Sequence, residues 1–265
     1  MSKFDKVQGV AKRVLTLFFL VDVSGSMTGD KIGTVNTTME EILPTLRKIS
    51  MDNADAMMKM SVLKFSKGAQ WVYEKPRDIQ EFEWEYLEAK GVTDLGAACM
   101  ELNSKLSKDE YMKTASGSYA PVIILMSDGE PTDDYRSGLA TLKQNNWYKY
   151  ATKAAIGIGD QADYGVLSEF TEDEDMVISV YDEEELKQWI KFLSVTSAQI
   201  AMKGAGVGDN GKNKVHDRVV KEKGETGKQQ KVEAKEEEKT SGQKVTPPVG
   251  GMFGEGQVEF SKLVW

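Results

Sequence analysis

The sequence predicts an α/β fold: a doubly wound, mostly parallel Rossmann-like sheet with one antiparallel edge strand, followed by a disordered C-terminal tail. Two apolar runs of strand length, Val14–Val21 and Pro121–Met126, each end in a polar turn, which is typical of buried parallel strands. Stretches with apolar residues at helical spacing lie between the strand-like runs. This alternation indicates a parallel sheet with helices on both faces.

The first half of the chain predicts the sheet's edge. After the first strand, apolar residues recur at helical spacing from Ile32 to Ile49, which predicts a long helix. Lys59–Phe65 is typical of a strand, and Ala69–Tyr73 continues as a second one after a short turn. The pair therefore predicts a hairpin that adds the antiparallel edge strand.

The second half predicts three more helices and three strands. Leu95–Leu106 has a helical apolar face that includes Cys99, so we expect a buried, inert thiol there. Asp182 and Glu185 form a capping-box-like start to the last helix. The remaining predicted elements are the strand Pro121–Met126, the helix Tyr135–Leu142, and the strands Ala151–Ile158 and Met176–Val180.

Composition limits the classes of partner. The net charge is −8, and the first 202 residues carry 22 basic against 32 acidic side chains, which makes this part a poor match for nucleic acid. The single cysteine allows no intramolecular disulfide, as is usual in a reducing compartment. No stretch approaches the ~20 apolar residues of a membrane span. We therefore expect a soluble, cytoplasmic protein that binds neither nucleic acid nor membranes.

Apolar periodicity stops at Met202, which divides the chain into three predicted regions. Residues 1–202 are expected to form the folded domain. Residues 203–250 are rich in Lys, Glu, Gly and Gln and contain no aromatic ring apart from that of His216, which predicts a disordered linker. Residues 251–265 form a short apolar motif that ends in a Trp; an inert, frayed end is the alternative to a docking motif. The candidate partner-docking residues are Phe260, Leu263 and Trp265.

Oxygen-bearing side chains follow the first strand directly. Asp22, Ser24 and Ser26 have the spacing D-x-S-x-S, at the strand end where ligand sites of open α/β sheets lie. Thr93 precedes a predicted helix, and Asp128 follows the second buried strand. Five oxygen donors suit a hard cation such as Mg²⁺ or Mn²⁺ and do not suit zinc. The sequence therefore predicts a divalent-metal site here.

This pattern of D-x-S-x-S, a Thr about seventy residues later and an Asp after a later apolar strand resembles the metal-ion-dependent adhesion site of von Willebrand factor A domains. The resemblance covers about Ala11 to Met202. A closer likeness to the tellurium-resistance TerY-like branch runs through the segments LVDVSGSMTGDKI, DGEPTDD and LKQWIKFLSVTSAQI. The chain departs from the family pattern at Val92–Asp94, where many relatives carry a smaller GGT-type loop.

The resemblance implies a role for each of the five residues. The hydroxyls of Ser24 and Ser26 bind the cation directly, and Thr93 binds it directly in the ligand-ready state. Asp22 and Asp128 bind directly or through water and supply negative charge. One position remains for an Asp or Glu of a partner protein. The likeness to the TerY-like branch further implies a bacterial tellurite or stress response, with a kinase or phosphatase of the same system as partner.

Two other interpretations of this segment stay open. Taken alone, D-x-S-x-S is also typical of an N-cap and Asx turn that lead into a helix. A strand that ends in Asp also opens haloacid-dehalogenase-like phosphatases, whose nucleophile would here be Asp22. Such sites need a second Asp two residues later, where this chain has Ser24. The sequence therefore favours a binding module over an enzyme.

Overall fold

The computed structural model describes residues 12–114, 116–203 and 211–226. The chain divides into two compact units, residues 1–222 and 223–265, and of the second only residues 223–226, the end of a helix, are described. The predicted docking residues Phe260, Leu263 and Trp265 lie outside the described residues. No helix within the described ranges is both long and apolar enough to cross a membrane.

The first unit is built on one sheet, whose described strands follow the order β3-β2-β1-β5-β6-β7, with the short β4 also paired to β2. All neighbours are parallel except β3 and β4, which run antiparallel to β2. This confirms the predicted mostly parallel sheet with an antiparallel edge. The strands are β1 (Arg13–Asp22), β2 (Ala56–Ser66), β3 (Gly68–Trp71), β4 (Arg77–Asp78), β5 (Val122–Ser127), β6 (Thr152–Ile158) and β7 (Val177–Val180).

Helices cover both faces of this sheet. One face packs against α1 and α6, and the other packs against α2 to α5. The helices are α1 (Asp30–Met51), α2 (Leu95–Lys105), α3 (Tyr135–Lys143), α4 (Asn146–Tyr150), α5 (Tyr164–Thr171), α6 (Glu183–Met202) and α7 (residues 211–226).

The central strand β1 is buried on both sides. Leu17, Phe19 and Val21 point to the face of α1 and α6, whereas Phe18 and Leu20 point to the opposite face. All five side chains are fully buried. Two covered faces explain why the strand appears in the sequence as a nearly continuous apolar run, broken at Thr16, and not as an alternating one.

Helices α2 and α3 approach each other backbone to backbone. A Cβ atom on Gly138 would lie 2.5 Å from the carbonyl oxygen of Gly96, and one on Gly96 would lie 2.7 Å from that of Asp134. Neither position has room for a side chain. The buried face of α2 also contains Cys99, and burial raises the pKa of this thiol to about 12, so little of the reactive thiolate is present at neutral pH.

Helix α7 departs from the sequence expectation. Residues 203–250 were expected to be a disordered linker, and this is wrong for residues 211–226, which are helical. Val215 and Val219 lie one helical turn apart and are buried against the core that α1 and α6 share. Two buried valines are enough to dock a helix. They hardly change the average composition of an otherwise charged segment, so composition alone does not predict the helix.

Candidate metal centre

The candidate site lies where the sheet topology reverses. β1 and β5 are neighbours, with Val21 paired to Met126 near their carboxyl ends. The chain continues from β1 to β2 on one side, whereas β5 is followed by β6 on the other side. A crevice forms beyond the carboxyl ends of strands at such a switch point. The turn after β1, the loop before α2 and the loop after β5 all meet there.

Asp22 anchors this edge from inside the protein. Its carboxylate is fully buried. Oδ1 accepts a hydrogen bond of 2.8 Å from the amide of Ser24, and Oδ2 accepts one of 2.6 Å from the hydroxyl of Ser127. Burial raises the pKa of the Asp22 carboxyl, while the hydrogen bonds from Ser127 and Ser24 oppose that shift. Asp22 therefore ties the turn after β1 to the end of β5.

A chain of oxygen atoms joins the two serines to Asp128. The Oγ atoms of Ser24 and Ser26 lie 3.0 Å apart, and Ser26 donates a 2.7 Å hydrogen bond to Oδ1 of Asp128. The Asp128 and Ser24 side chains are buried, while Ser26 is exposed. The second Asp128 oxygen accepts a 2.5 Å hydrogen bond from the ammonium of Lys31, which lies in the first turn of α1.

Thr93 reaches the same place from the loop before α2. A Cβ atom built on Gly129 would lie 3.7 Å from Oγ of Ser26 and 3.8 Å from Oγ1 of Thr93, so both hydroxyls flank one glycine. The amide of Thr93 donates to the hydroxyl of Thr132, and the amide of Thr132 donates to the carbonyl of Thr93, at 3.0 and 2.8 Å. These two hydrogen bonds hold the loop before α2 against the loop after β5.

Nearby acidic residues hold these loops in place. Asp94 accepts hydrogen bonds from the amide of Gly68 and the hydroxyl of Thr132. Asp133 accepts bonds from the amides of Gly96 and Ala97, both at 2.9 Å, and so caps the start of α2. Their oxygens are engaged in positioning the site's loops.

The donor set fits a small hard divalent cation. Adjacent oxygens around an octahedral Mg²⁺ at 2.0–2.1 Å are about 2.9 Å apart. The Ser24–Ser26 and Ser26–Asp128 oxygen separations of 3.0 and 2.7 Å bracket this value. The site also already attracts positive charge, since Lys31 contacts Asp128. All five residues predicted from the sequence are thus placed at one edge, and their role as ligands stays a prediction.

Sequence reasoning missed two residues of this site. Lys31 gave no signal, because nothing in the sequence connects the first turn of α1 with the loop after β5. Ser127 did leave one, since it is the last residue of a buried strand next to Asp128, and the pairing of β5 with β1 places it beside Asp22.

Comparison with curated proteins finds a match in human inter-alpha-trypsin inhibitor heavy chain H6, which is 26% identical over 166 residues. The match covers 60% of this chain but only 12% of that protein. The chain therefore spans about an eighth of the length of the relative it matches.

Solved structures support the same fold at low identity. Proximal thread matrix protein 1 from the mussel byssus, with a zinc-occupied metal-ion-dependent adhesion motif, aligns with a TM-score of 0.54 at 18% identity, over 71% of this chain and 49% of that one. The pilus adhesin SpaC from Lactobacillus rhamnosus GG aligns with a TM-score of 0.55 at 12% identity, over 73% and 31% of the two chains.

The family assignment rests on the sequence itself. Residues 16–191, more than half of the chain, match the von Willebrand factor type A domain, and this range includes all five residues of the candidate site. The matched range runs from within β1 into α6 and so includes residues of every described strand. The chain belongs to the von Willebrand factor type A domain family.

Proposed function

We propose that this chain is a divalent-metal-dependent protein-interaction module that binds a carboxylate of a protein partner. Domains of this family are typically non-catalytic and bind protein ligands. The observation that carries the proposal is the convergence of the Ser24, Ser26 and Asp128 oxygens from two loops. Their separations are also compatible with neighbouring ligands of a small octahedral cation. The cation would be Mg²⁺ or Mn²⁺.

Five side chains would form the cation site, and Asp22, whose two oxygens are buried and engaged by Ser24 and Ser127, would act on the cation through water. The hydroxyls of Ser24, Ser26 and Thr93 contribute oxygens without charge, while Asp22 and Asp128 supply negative charge. Because three of the five donors are neutral, a bound cation keeps enough positive charge to attract an Asp or Glu of a partner. The exposed position of Ser26 gives such a carboxylate access from solvent.

The geometry argues against the alternative of a phosphatase that uses Asp22. Both oxygens of this carboxylate accept hydrogen bonds from the protein, and the side chain is fully buried. A nucleophilic carboxylate needs an oxygen that can reach the substrate.

We further propose a place in a bacterial tellurite or stress response, with a kinase or phosphatase of the same system as the partner. The support for this step is the sequence likeness to the TerY-like branch in the segments LVDVSGSMTGDKI, DGEPTDD and LKQWIKFLSVTSAQI. Pull-down from a host lysate with the full chain as bait tests it. A partner retained in Mg²⁺ and lost in chelator supports the proposal, and capture that chelator does not alter contradicts it.

The metal site is tested by thermal unfolding in Mg²⁺, Mn²⁺ or Zn²⁺. At a concentration one hundred times Kd, binding stabilises the folded state by about 2.7 kcal/mol, which raises Tm by roughly 5–10 °C for a domain of this size. Zinc is included because a structure with the same fold carries it in its motif. We expect Ser26→Ala to lose most of the rise in Mg²⁺ or Mn²⁺.

The control is Thr37→Ala, which removes an exposed hydroxyl that, among the described residues, donates to the carbonyl of Gly33 in the same helix. It should keep the full metal-induced rise. Asp22→Ala is a second test variant, compared with its own Tm in chelator because loss of two buried hydrogen bonds also destabilises the fold. Equal responses of wild type, Ser26→Ala and Asp22→Ala would show that the metal binds elsewhere.

A further inference from the structure

A second group of side chains that could bind a metal lies at the other end of the strands from the candidate metal centre. Asp173 and Asp175 belong to the turn that leads into β7, and His216 belongs to α7. β7 is parallel to β6 and, through it, to β5. The turn before β7 is therefore at the amino ends of the strands, whereas the candidate metal centre is at their carboxyl ends.

The three side chains are close enough to share one ion after a small adjustment of their separations. Nε2 of His216 lies 3.7 Å from Oδ2 of Asp173 and 3.4 Å from Oδ2 of Asp175. One ligand atom from each residue falls within 4.8 Å of the other two. Nitrogen and oxygen ligands of a tetrahedral zinc ion are about 3.3–3.5 Å apart, given bond lengths of 2.0–2.2 Å.

Asp173 is held in position by its neighbours. Its Oδ1 accepts a 3.1 Å hydrogen bond from the amide of Asp175, which leaves Oδ2 as the oxygen that faces the imidazole. The buried hydroxyl of Thr171 donates a 2.7 Å bond to the carbonyl of Asp173 and accepts a 3.3 Å bond from its amide. A ligand fixed in this way loses little entropy when an ion binds.

The imidazole has a suitable environment on its other side. Nδ1 of His216 faces Oδ1 of Asp217 at 3.7 Å. With a metal on Nε2, the ring proton would lie on Nδ1, where this carboxylate faces it. His216 is also the only histidine of the chain.

The acidic run around Asp173 is partly neutralised from within the protein. Glu172 adopts a left-handed backbone conformation (φ 59°) at the end of α5 and accepts a hydrogen bond from the buried ammonium of Lys153. This pairing engages the Glu172 carboxylate, which lies at the surface, with a buried cation and not with His216. Two aspartates and one histidine then face each other across the turn and α7.

We propose that Asp173, Asp175 and His216 form a second metal site, which takes a zinc-class transition-metal ion and fastens α7 to the domain. An imidazole nitrogen favours such ions over Mg²⁺ or Ca²⁺. Three protein ligands leave one position of a tetrahedral ion for water. All three residues are partly exposed, so an ion can enter from solvent.

The site links metal binding to the order of one helix. Within unit 1, α7 is held by the narrow stripe of Val215 and Val219 and by the contact of His216 with the turn before β7. A metal bound across this contact is present only when α7 is docked, so by mass action it stabilises the docked helix. The inference does not depend on the metal centre at the carboxyl edge.

Hydrogen–deuterium exchange of the full chain tests the proposal. We expect Zn²⁺ at ten times Kd to slow amide exchange in residues 211–222 about tenfold, because the docked state gains a factor of 1 + [L]/Kd. Mg²⁺ at the same concentration should leave the exchange rates of these amides unchanged. Co²⁺ should show the visible absorption of tetrahedral coordination with an imidazole ligand.

Two variants make the outcome decisive. His216→Gln keeps a polar side chain but removes the imidazole, and it should lose both the zinc-dependent protection and the cobalt spectrum. Asn213→Gln, at an exposed position of the same helix, should keep most of the protection, since it removes no ligand and changes no charge. If Zn²⁺ does not slow exchange in the wild type, or slows it equally in His216→Gln, the contact is an ion pair only and the proposal is wrong.

Discussion

Lys31 directs its ammonium at the same carboxylate that is expected to hold the divalent cation. Asp128 is fully buried, and one of its oxygens is bonded to this ammonium while the other accepts from Ser26. An ammonium and a metal ion repel each other at such distances. The Lys31 side chain is 36% exposed and can move toward solvent. Metal binding must therefore displace Lys31 or work against its charge.

Lys31→Met is expected to strengthen divalent-metal binding. Removing the competing charge should lower the Kd for Mg²⁺ up to about tenfold, or ~1.4 kcal/mol, as measured by isothermal titration calorimetry. Lys48→Met, an exposed position on the same helix, removes the same charge far from Asp128 and should change Kd less than twofold. Weaker binding by Lys31→Met would mean that Lys31 supports the site.

The same residues mark what the sequence can predict at this scale. Asp22, Ser24 and Ser26 can be predicted because they follow a strand at fixed spacing. Asp128 can be predicted because it directly follows the end of an apolar run. Lys31 cannot be predicted in this way. Its contact with Asp128 depends on how α1 packs on the sheet, and local residue spacing does not determine that packing.

Helix α6 shows how a local signal determines an element boundary. The capping-box-like start predicted from Asp182 and Glu185 is present as an N-cap: the amide of Glu185 donates to Oδ1 of Asp182 at 2.8 Å. The Glu185 side chain in turn accepts a 2.8 Å bond from the amide of Tyr181. Beyond this start, Trp189 and Leu193 are buried against the sheet. The cap therefore fixes where a core helix begins.

Loss of this cap should destabilise the domain. Asp182→Ala is expected to cost about 1 kcal/mol, which lowers Tm by roughly 2–4 °C for a domain of this size. Thermal unfolding followed by circular dichroism measures the change. Gln188→Ala, one turn further along and exposed, should leave Tm within about 1 °C. Equal losses in both variants would show that the cap contributes nothing specific.

Helix α7 shows the opposite case. Its few buried positions, Val215 and Val219 among them, are separated by charged residues, so the segment has the composition of a disordered linker. The helix is ordered by the surface on which it packs, and this surface includes the turn before β7. Such a helix depends on tertiary contacts, and no reading of its own residues could have predicted it.

At the scale of the molecule, the two proposed metal sites lie at opposite ends of parallel strands. A strand of seven residues such as β6 is roughly 20 Å long, about twice the distance over which salt screens charge. The sheet between them is packed on both faces. The two sites should therefore bind their ions independently.

This independence can be measured with variants already described. We expect His216→Gln to keep the full Mg²⁺-induced rise in Tm, and Ser26→Ala to keep the full Zn²⁺-induced protection of α7. The double variant should lose each effect to the same extent as the corresponding single variant, because distant sites contribute additively. A deviation of more than about 0.5 kcal/mol from additivity would reveal energetic coupling through the sheet.

The contact between Gly96 and Gly138 has a consequence for how mutations are tolerated. Because α2 and α3 touch through their main chains, the gap between the Thr93 loop and the Asp128 loop is set by the thickness of two polypeptide backbones. Any larger residue at either glycine would wedge the helices apart and widen that gap. A genetic screen for loss of cation binding would therefore return substitutions at both glycines, although neither offers an atom to the ion.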